Sequence, residues 1–143
     1  MKKVVFAIAL VLIVNFGYSQ ELKPEMVPQN VLDRFHHTFP QSVDLPVKWV
    51  KEKRDFKATL TIMDAPAIMV IDSLGKTIRI ERKINEIYLP QNAKDYLKKL
   101  DPNYQVINVT KIVDDKEKAI YKTTAKIKTN FTFDDTGKVF GAK

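Results

Sequence analysis

The chain repeats itself at an interval of 62 residues, and this feature constrains its fold more than any other. Residues 27–30 (VPQN) recur as 89–92 (LPQN), and residues 72–76 (DSLGK) recur as 134–138 (DDTGK). The matches fall on proline, asparagine, aspartate and glycine, the residues that set turns and helix ends. Coincidence is therefore a poor explanation, and the sequence predicts two tandem copies of one structural unit.

Each predicted copy begins with a helix. Pro28 and Pro90 suit the first turn of a helix, where a missing N–H costs nothing. Pro40 and Pro102 end the helices, because proline disfavours helical backbone in the residue before it. In the second copy the apolar residues recur at the i, i+3, i+4, i+7 spacing of an amphipathic helix; they are Ala93, Tyr96, Leu97 and Leu100.

Strands follow each helix. Apolar and polar residues alternate with a period of two, which is typical of half-buried strands, at 42–49, 56–62, 121–126 and 131–133. Further strands are predicted at 67–71 and 77–84. The Asp-x-x-Gly-Lys segments predict hairpin turns, since the glycine tolerates positive φ. The predicted fold class is α+β, with tandem repeats that each pack one helix on an antiparallel sheet of three to four strands.

The N-terminal segment has the layout of a secretory signal peptide. Lys2 and Lys3 precede an apolar run at 4–14, and Gly17 and Ser19 supply the small residues of a cleavage site. A membrane-spanning helix needs about 20 apolar residues, which is more than this run contains. We therefore expect a periplasmic or secreted protein of Gram-negative type, with no membrane anchor after cleavage.

These features together predict the organisation of the chain. Residues 1–19 are the signal peptide, 20–26 a polar lead-in, 27–86 the first repeat and 87–143 the second. The formal net charge of +7 falls to +5 without Lys2 and Lys3. A small excess of this kind favours weak contact with anionic surfaces and gives no support for nucleic-acid binding.

The order of these elements resembles the PepSY-like domains that are described as β-lactamase-inhibitor-like. The residues that carry the resemblance are Val27-Pro28, Phe35, Phe39-Pro40, Val47 to Trp49, Phe56 to Thr61, Val70 to Asp72 and Gly75-Lys76, with Leu89-Pro90, Leu97, Pro102, Val109, Phe131 to Asp134 and Gly137-Lys138 in the second copy. The resemblance implies an exported protein that acts as a binding or inhibitory module. The second copy departs from the pattern, because Lys111 stands where the first copy has Trp49.

No catalytic constellation, metal site or cofactor motif is recognisable in the sequence. His36 and His37 are adjacent, so their side chains point about 100° apart on a helix and do not converge on one metal ion. No serine stands in a Gly-x-Ser-x-Gly setting. The carboxylates of Asp72, Asp134 and Asp135 are explained by their place in turns. Of the functions considered, an enzyme is the least supported.

The strand alternation predicts which residues face the core and which face solvent. Trp49 shares its parity with the apolar residues of its strand and is expected in the core. The opposite parity predicts an open sheet face, and the candidate binding residues on it are Lys48, Lys57, Thr59, Thr61, Lys122, Thr124 and Lys126. A merely solvated face is the competing interpretation, since threonine and lysine suit exposed strands.

Two binding functions follow from this reading. The first is a non-enzymatic module that binds an envelope protein or an anionic surface through the open sheet face, with inhibition of an envelope enzyme as one form of it. The alternative is a small-ligand carrier or envelope-stress protein with a pocket between helix and sheet, for which a cavity of a few hundred Å3 is typical.

Overall fold

The computed structural model describes residues 20–126 and 129–143, so the predicted signal peptide at 1–19 lies outside the described residues. Two α-helices are present in this part, α1 (Gln29–Thr38) and α2 (Gln91–Leu100). The strands are β1 (Gln20–Leu22), β2 (Lys48–Glu52), β3 (Asp55–Ile62), β4 (Ala65–Ile71), β5 (Thr77–Ile84), β6 (Val106–Asp114), β7 (Ala119–Ala125), β8 (Asn130–Asp134) and β9 (Val139–Ala142).

Within the described residues, the nine strands form one antiparallel sheet in the order in which they occur along the chain. The prediction of two tandem repeats, each with its own sheet of three to four strands, is therefore wrong. β5 pairs with β6 from Arg79↔Asp114 to Ile84↔Val109, across the predicted repeat boundary. An unpaired β5 would expose a row of backbone N–H and C=O groups at a sheet edge, and pairing with β6 satisfies them.

Both predicted helices are confirmed, and they pack on the same side of the sheet, which we call the helix face. Phe35 of α1 packs against Trp49 on this side. The successive cross-strand partners that continue from Trp49 on the same side of the sheet are Ala58, Met69, Ile80, Val113 and Ala119. Leu97 of α2 belongs to a second cluster that contains Phe131 and Phe133. Each helix therefore buries its apolar stripe on a different half of one sheet.

The segment before β2 differs from its prediction as a strand. Residues Pro40–Asp44 form a 3-10 helix, and β2 begins only at Lys48. Pro40 suits the start of this helix, and Pro46 removes a donor that a strand ladder over 42–49 would need. The predicted core position of Trp49 is confirmed, since only 2% of its surface is exposed.

The predicted lead-in at 20–26 also has regular structure. Gln20–Leu22 pairs with β2 as the edge strand β1, and Leu22 is buried in the cluster under α1. A 3-10 helix at Pro24–Met26 then leads to α1. Three residues are too few to show an alternation pattern, so this strand could not be predicted from the sequence.

The aspartates predicted as turn residues do stabilise turns. Asp72 Oδ1 accepts hydrogen bonds from the backbone N–H groups of Leu74 and Lys76, both at 2.9 Å. Asp134 Oδ1 accepts three, and the Thr136 hydroxyl, which donates at 2.7 Å, is the main cause that lowers the pKa of Asp134 below its ordinary value. Hydrogen bonds to a carboxylate favour its charged form.

A third turn of the same kind joins β6 to β7. Asp114 Oδ1 accepts hydrogen bonds from the backbone N–H groups of Lys116 and Lys118, both at 2.9 Å. Glu117 occupies the place of the glycine, with a φ of 61°, whereas Gly75 and Gly137 have φ values of 82° and 85°. A residue with a Cβ atom is strained in this left-handed region.

Replacing Glu117 by glycine is expected to raise the free energy of unfolding by about 0.5–1 kcal/mol, because the relief of left-handed strain exceeds the added chain entropy of glycine. Urea denaturation measures the change. Lys116→Gly is the matched control: its φ is not positive, so glycine there should lower stability. A loss of stability in Glu117→Gly would contradict the assignment of strain to this residue.

Candidate binding face of the sheet

The side of the sheet opposite the helices, here called the open face, carries six of the seven predicted binding residues. Lys48 pairs with Thr59, and Lys57 pairs with Val50 and Val70. The register places all of these residues on the side of the sheet opposite to Trp49. The other residues that register places on this face are Thr61, Lys122 and Thr124. Lys126 instead lies beyond the end of β7, where its Nζ donates to Gln105 Oε1 at 3.1 Å.

These residues form two groups at some distance from one another. Thr59 is on β3 and Lys122 on β7, which are four strand spacings or about 19 Å apart. At the β2–β3 end, Lys48 Nζ lies 3.3 Å from a Glu21 carboxylate oxygen, and Lys57 Nζ lies 3.2 Å from Glu52 Oε1. These ion pairs neutralise the positive charge that the sequence suggested for this end of the face.

An apolar strip lies beneath charged side chains on the same face. Val70 is only 1% exposed, although it belongs to neither helix-covered cluster. Its direct neighbours across the sheet are Lys57 and Arg79, and side chains of this kind can bury apolar surface under their aliphatic stems. The Arg79 guanidinium donates to Glu81 Oε1 at 2.8 Å. The open face is therefore partly closed by its own long side chains around β4.

A depression of about 310 Å3 lies at the centre of the open face, between the two groups of predicted residues. The side-chain oxygen of Asn108 is buried there without a hydrogen-bond partner among the described residues. A bulge in the β6–β7 pairing at Val106 and Asn108 sets the position of this side chain. The residues that line the depression are Pro66, Ile68, Glu81, Lys83, Asn108 and Thr110.

A short row of polar side chains crosses the face beside the depression: Lys83, Thr110 and Lys122 are direct neighbours on β5, β6 and β7. We call these three residues the basic row. Both lysines are exposed, and within the described part of the chain neither ammonium lies within 4 Å of a carboxylate oxygen. An uncompensated pair of cations on an uncovered sheet is suited to an anionic partner surface.

The sequence reasoning found Lys122 but missed Lys83 and Thr110. β5 was predicted as a strand, and the alternation of side chains along it places Lys83 and Ile84 on opposite faces of the sheet. The signal was weak because charged residues occur on both faces of β5, including Arg79 and Arg82. β6 was not predicted, since apolar residues also occur on both of its faces.

The described residues contain no group of three histidine, cysteine, aspartate or glutamate side chains placed to hold a metal ion. His36 and His37 are exposed on α1, and His36 Nδ1 lies 3.0 Å from the Ser42 hydroxyl. Asp115, in the β6–β7 turn, has a pKa below its ordinary value because it accepts a hydrogen bond from Lys76 Nζ at 2.7 Å. Within residues 20–126 and 129–143, no helix has the length and apolar character to cross a membrane.

Neither a protein-family model nor a curated protein sequence matches the chain. Solved structures do match. A DUF2874 family protein from Bacteroides uniformis is 15% identical, with 81% of this chain and 88% of that chain covered and a TM-score of 0.65. A BLIP-like protein from Bacteroides fragilis is 16% identical, with 85% and 86% covered and a TM-score of 0.63.

The chain has the fold of these proteins. A third structure with this fold, a protein from Bacteroides eggerthii whose name places it in the periplasm, is 12% identical, with 82% of this chain and 88% of that chain covered and a TM-score of 0.66. At identities this low the likeness concerns the fold alone. It supports the BLIP-like part of the resemblance seen in the sequence, whereas the PepSY-like part stays a prediction.

Proposed function

We propose that the protein is a non-enzymatic binding module of the periplasm that holds an acidic partner protein on its open face. The observation that carries this proposal is the basic row: Lys83 and Lys122 flank Thr110 on an uncovered sheet, with no carboxylate within 4 Å of either ammonium among the described residues. A free cation at an interface steers association and selects a partner of opposite charge.

The surroundings of the basic row support the same function. The central depression beside it can receive a side chain of the partner. The helices lie on the other side of the sheet, so a partner can approach across several strands. An area of about 800 Å2 on each partner is typical of a specific interface.

Inhibition of an envelope enzyme is the specific form of this function that the BLIP-like fold suggests. The named relatives share only the fold, so we carry the inhibitory role to this chain as a proposal. An inhibitor of this kind would act by covering the active site of its target with the open face, without any chemistry of its own.

Capture from an envelope extract of the bacterium that makes the protein tests the proposal. The wild-type protein is compared with Lys83→Glu/Lys122→Glu, which reverses the charge of the basic row. The matched control is Lys98→Glu/Lys99→Glu on the exposed side of α2, which changes the net charge equally. Quantitative mass spectrometry then measures the proteins that each variant retains.

We expect one or more acidic proteins to be retained by the wild type and the control but lost from the open-face variant, with affinity falling about tenfold or more. Retention should also weaken as salt is raised, since exposed charges are screened. Equal retention by the open-face variant, with folding verified by circular dichroism, would exclude the open face as the binding surface.

A further inference from the structure

A groove runs across the helix face between the two helices. Nine strands at their usual spacing are about 38 Å wide, whereas a helix with its side chains is about 10 Å in diameter. The helices cover the two halves of the sheet and leave part of β5 and β6 bare. The resulting cavity, here called the central groove, has a volume of about 500 Å3. This is within the range of about 300–1,000 Å3 found for ligand sites.

The walls of the central groove are mainly apolar. Ile80 and Ile84 come from β5 and Val113 from β6, all half-buried. Tyr121 lies on the α2 side, and Tyr88 borders the groove from the 3-10 helix that follows β5. Two thirds of Tyr88 is exposed, so an apolar ring stands at the edge of the groove without a partner.

Two cationic residues lie on neighbouring strands in the floor of the groove. Arg82 on β5 and Lys111 on β6 are cross-strand partners, and like charges in this position repel. Both residues line the groove, and none of the residues that line it is acidic. Within the described part of the chain, neither lies within 4 Å of a carboxylate oxygen.

Aromatic rings hold both cations in place. The Arg82 guanidinium carbon lies 4.8 Å from the centroid of the Phe39 ring, and Lys111 Nζ lies 5.9 Å from that of Tyr121. A ring face attracts a cation but does not neutralise its charge. The two groups are therefore positioned and still uncompensated, in contrast to Lys57, Lys76 and Arg79, which all have carboxylate partners.

We propose that the central groove binds an amphiphilic carboxylate, a small molecule with one carboxylate group and a hydrocarbon body. The carboxylate lies in the groove between the Arg82 guanidinium on the α1 side and the Lys111 ammonium on the α2 side, and accepts charge-assisted hydrogen bonds from them. The hydrocarbon lies along Ile80, Ile84 and Val113 toward the exposed ring of Tyr88. This site is on the opposite side of the sheet from the basic row and does not depend on the function proposed for it.

The pocket foreseen between a helix and the sheet differs from this site. Phe35 and Ala93, on the inner sides of α1 and α2, are fully buried against the sheet. The open volume of the central groove lies instead between the two helices.

Calorimetric titration with dodecanoate, below its micelle concentration and at low salt, tests the proposal. We expect saturable binding of one molecule per chain. Dodecyltrimethylammonium has an alkyl chain one carbon longer and the opposite charge, and should bind about tenfold or more weakly. Octanoate keeps the carboxylate but loses four methylene groups, and should also bind about tenfold or more weakly.

The variants then assign the binding to the groove. Arg82→Gln/Lys111→Met removes both charges with little change of shape, and dodecanoate affinity should fall about tenfold or more while thermal stability stays equal or rises. The matched control is Lys122→Glu on the open face, which should leave dodecanoate binding unchanged. Equal affinity for the two detergents, or unchanged affinity in the double variant, would overturn the proposal.

Discussion

Replacing Phe35 by alanine is expected to lower the free energy of unfolding by about 3–5 kcal/mol, the usual cost for a fully buried phenylalanine. Phe35 is 0% exposed, and its ring centroid lies 5.0 Å from that of Trp49 and 5.5 Å from that of Phe39. The substitution leaves a cavity where α1 meets β2. These rings are held by both elements, so neighbouring side chains have little freedom to fill it.

Urea denaturation measures this loss, followed by circular dichroism and by the fluorescence of Trp49, the single tryptophan of the chain. Phe140→Ala is the matched control, because 61% of Phe140 is exposed and its truncation should change stability by less than about 0.5 kcal/mol. Similar losses in the two variants would show that α1 is not packed on the sheet through Phe35.

The sequence predicted the local elements better than their assembly. Proline at each helix start, the apolar spacing of α2 and the Asp-x-x-Gly-Lys turns are local signals, and the helices and turns lie where they indicate. The pairing of β5 with β6, by contrast, joins residues that are far apart in the sequence, such as Ile84 and Val109. Alternation shows that a segment is a strand but does not name its neighbour, so the sequence alone does not decide whether the two predicted repeats share one sheet.

The same limit applies to the candidate sites. Parity placed Lys57 and Lys122 on one face, but only the register shows that Lys57 is paired with Glu52 and that Lys122 shares a row with Lys83. The central groove had no sequence signal, because it follows from the width of a continuous sheet relative to two helices.

Replacing Gly137 by alanine is expected to lower the free energy of unfolding by about 2–4 kcal/mol, from two causes. Gly137 has a φ of 85°, where a Cβ atom costs about 1 kcal/mol or more. The added Cβ would also lie 2.7 Å from the backbone nitrogen of Ala93 and 2.9 Å from Pro90 Cβ. These atoms belong to the start of α2, so the helix must move, and overpacking of this kind costs about 1–3 kcal/mol.

The movement would also strain the bond by which Asn92 Nδ2 donates to the carbonyl of Thr136 at 2.9 Å, which ties α2 to the β8–β9 turn. Gly141→Ala is the matched control: its Cβ would approach nothing nearer than 3.6 Å, and glycine within a strand is unfavourable, so stability should be unchanged or slightly higher. Urea denaturation of both variants measures the difference between them. A loss in Gly137→Ala no larger than in Gly141→Ala would mean that the β8–β9 turn does not contact the start of α2.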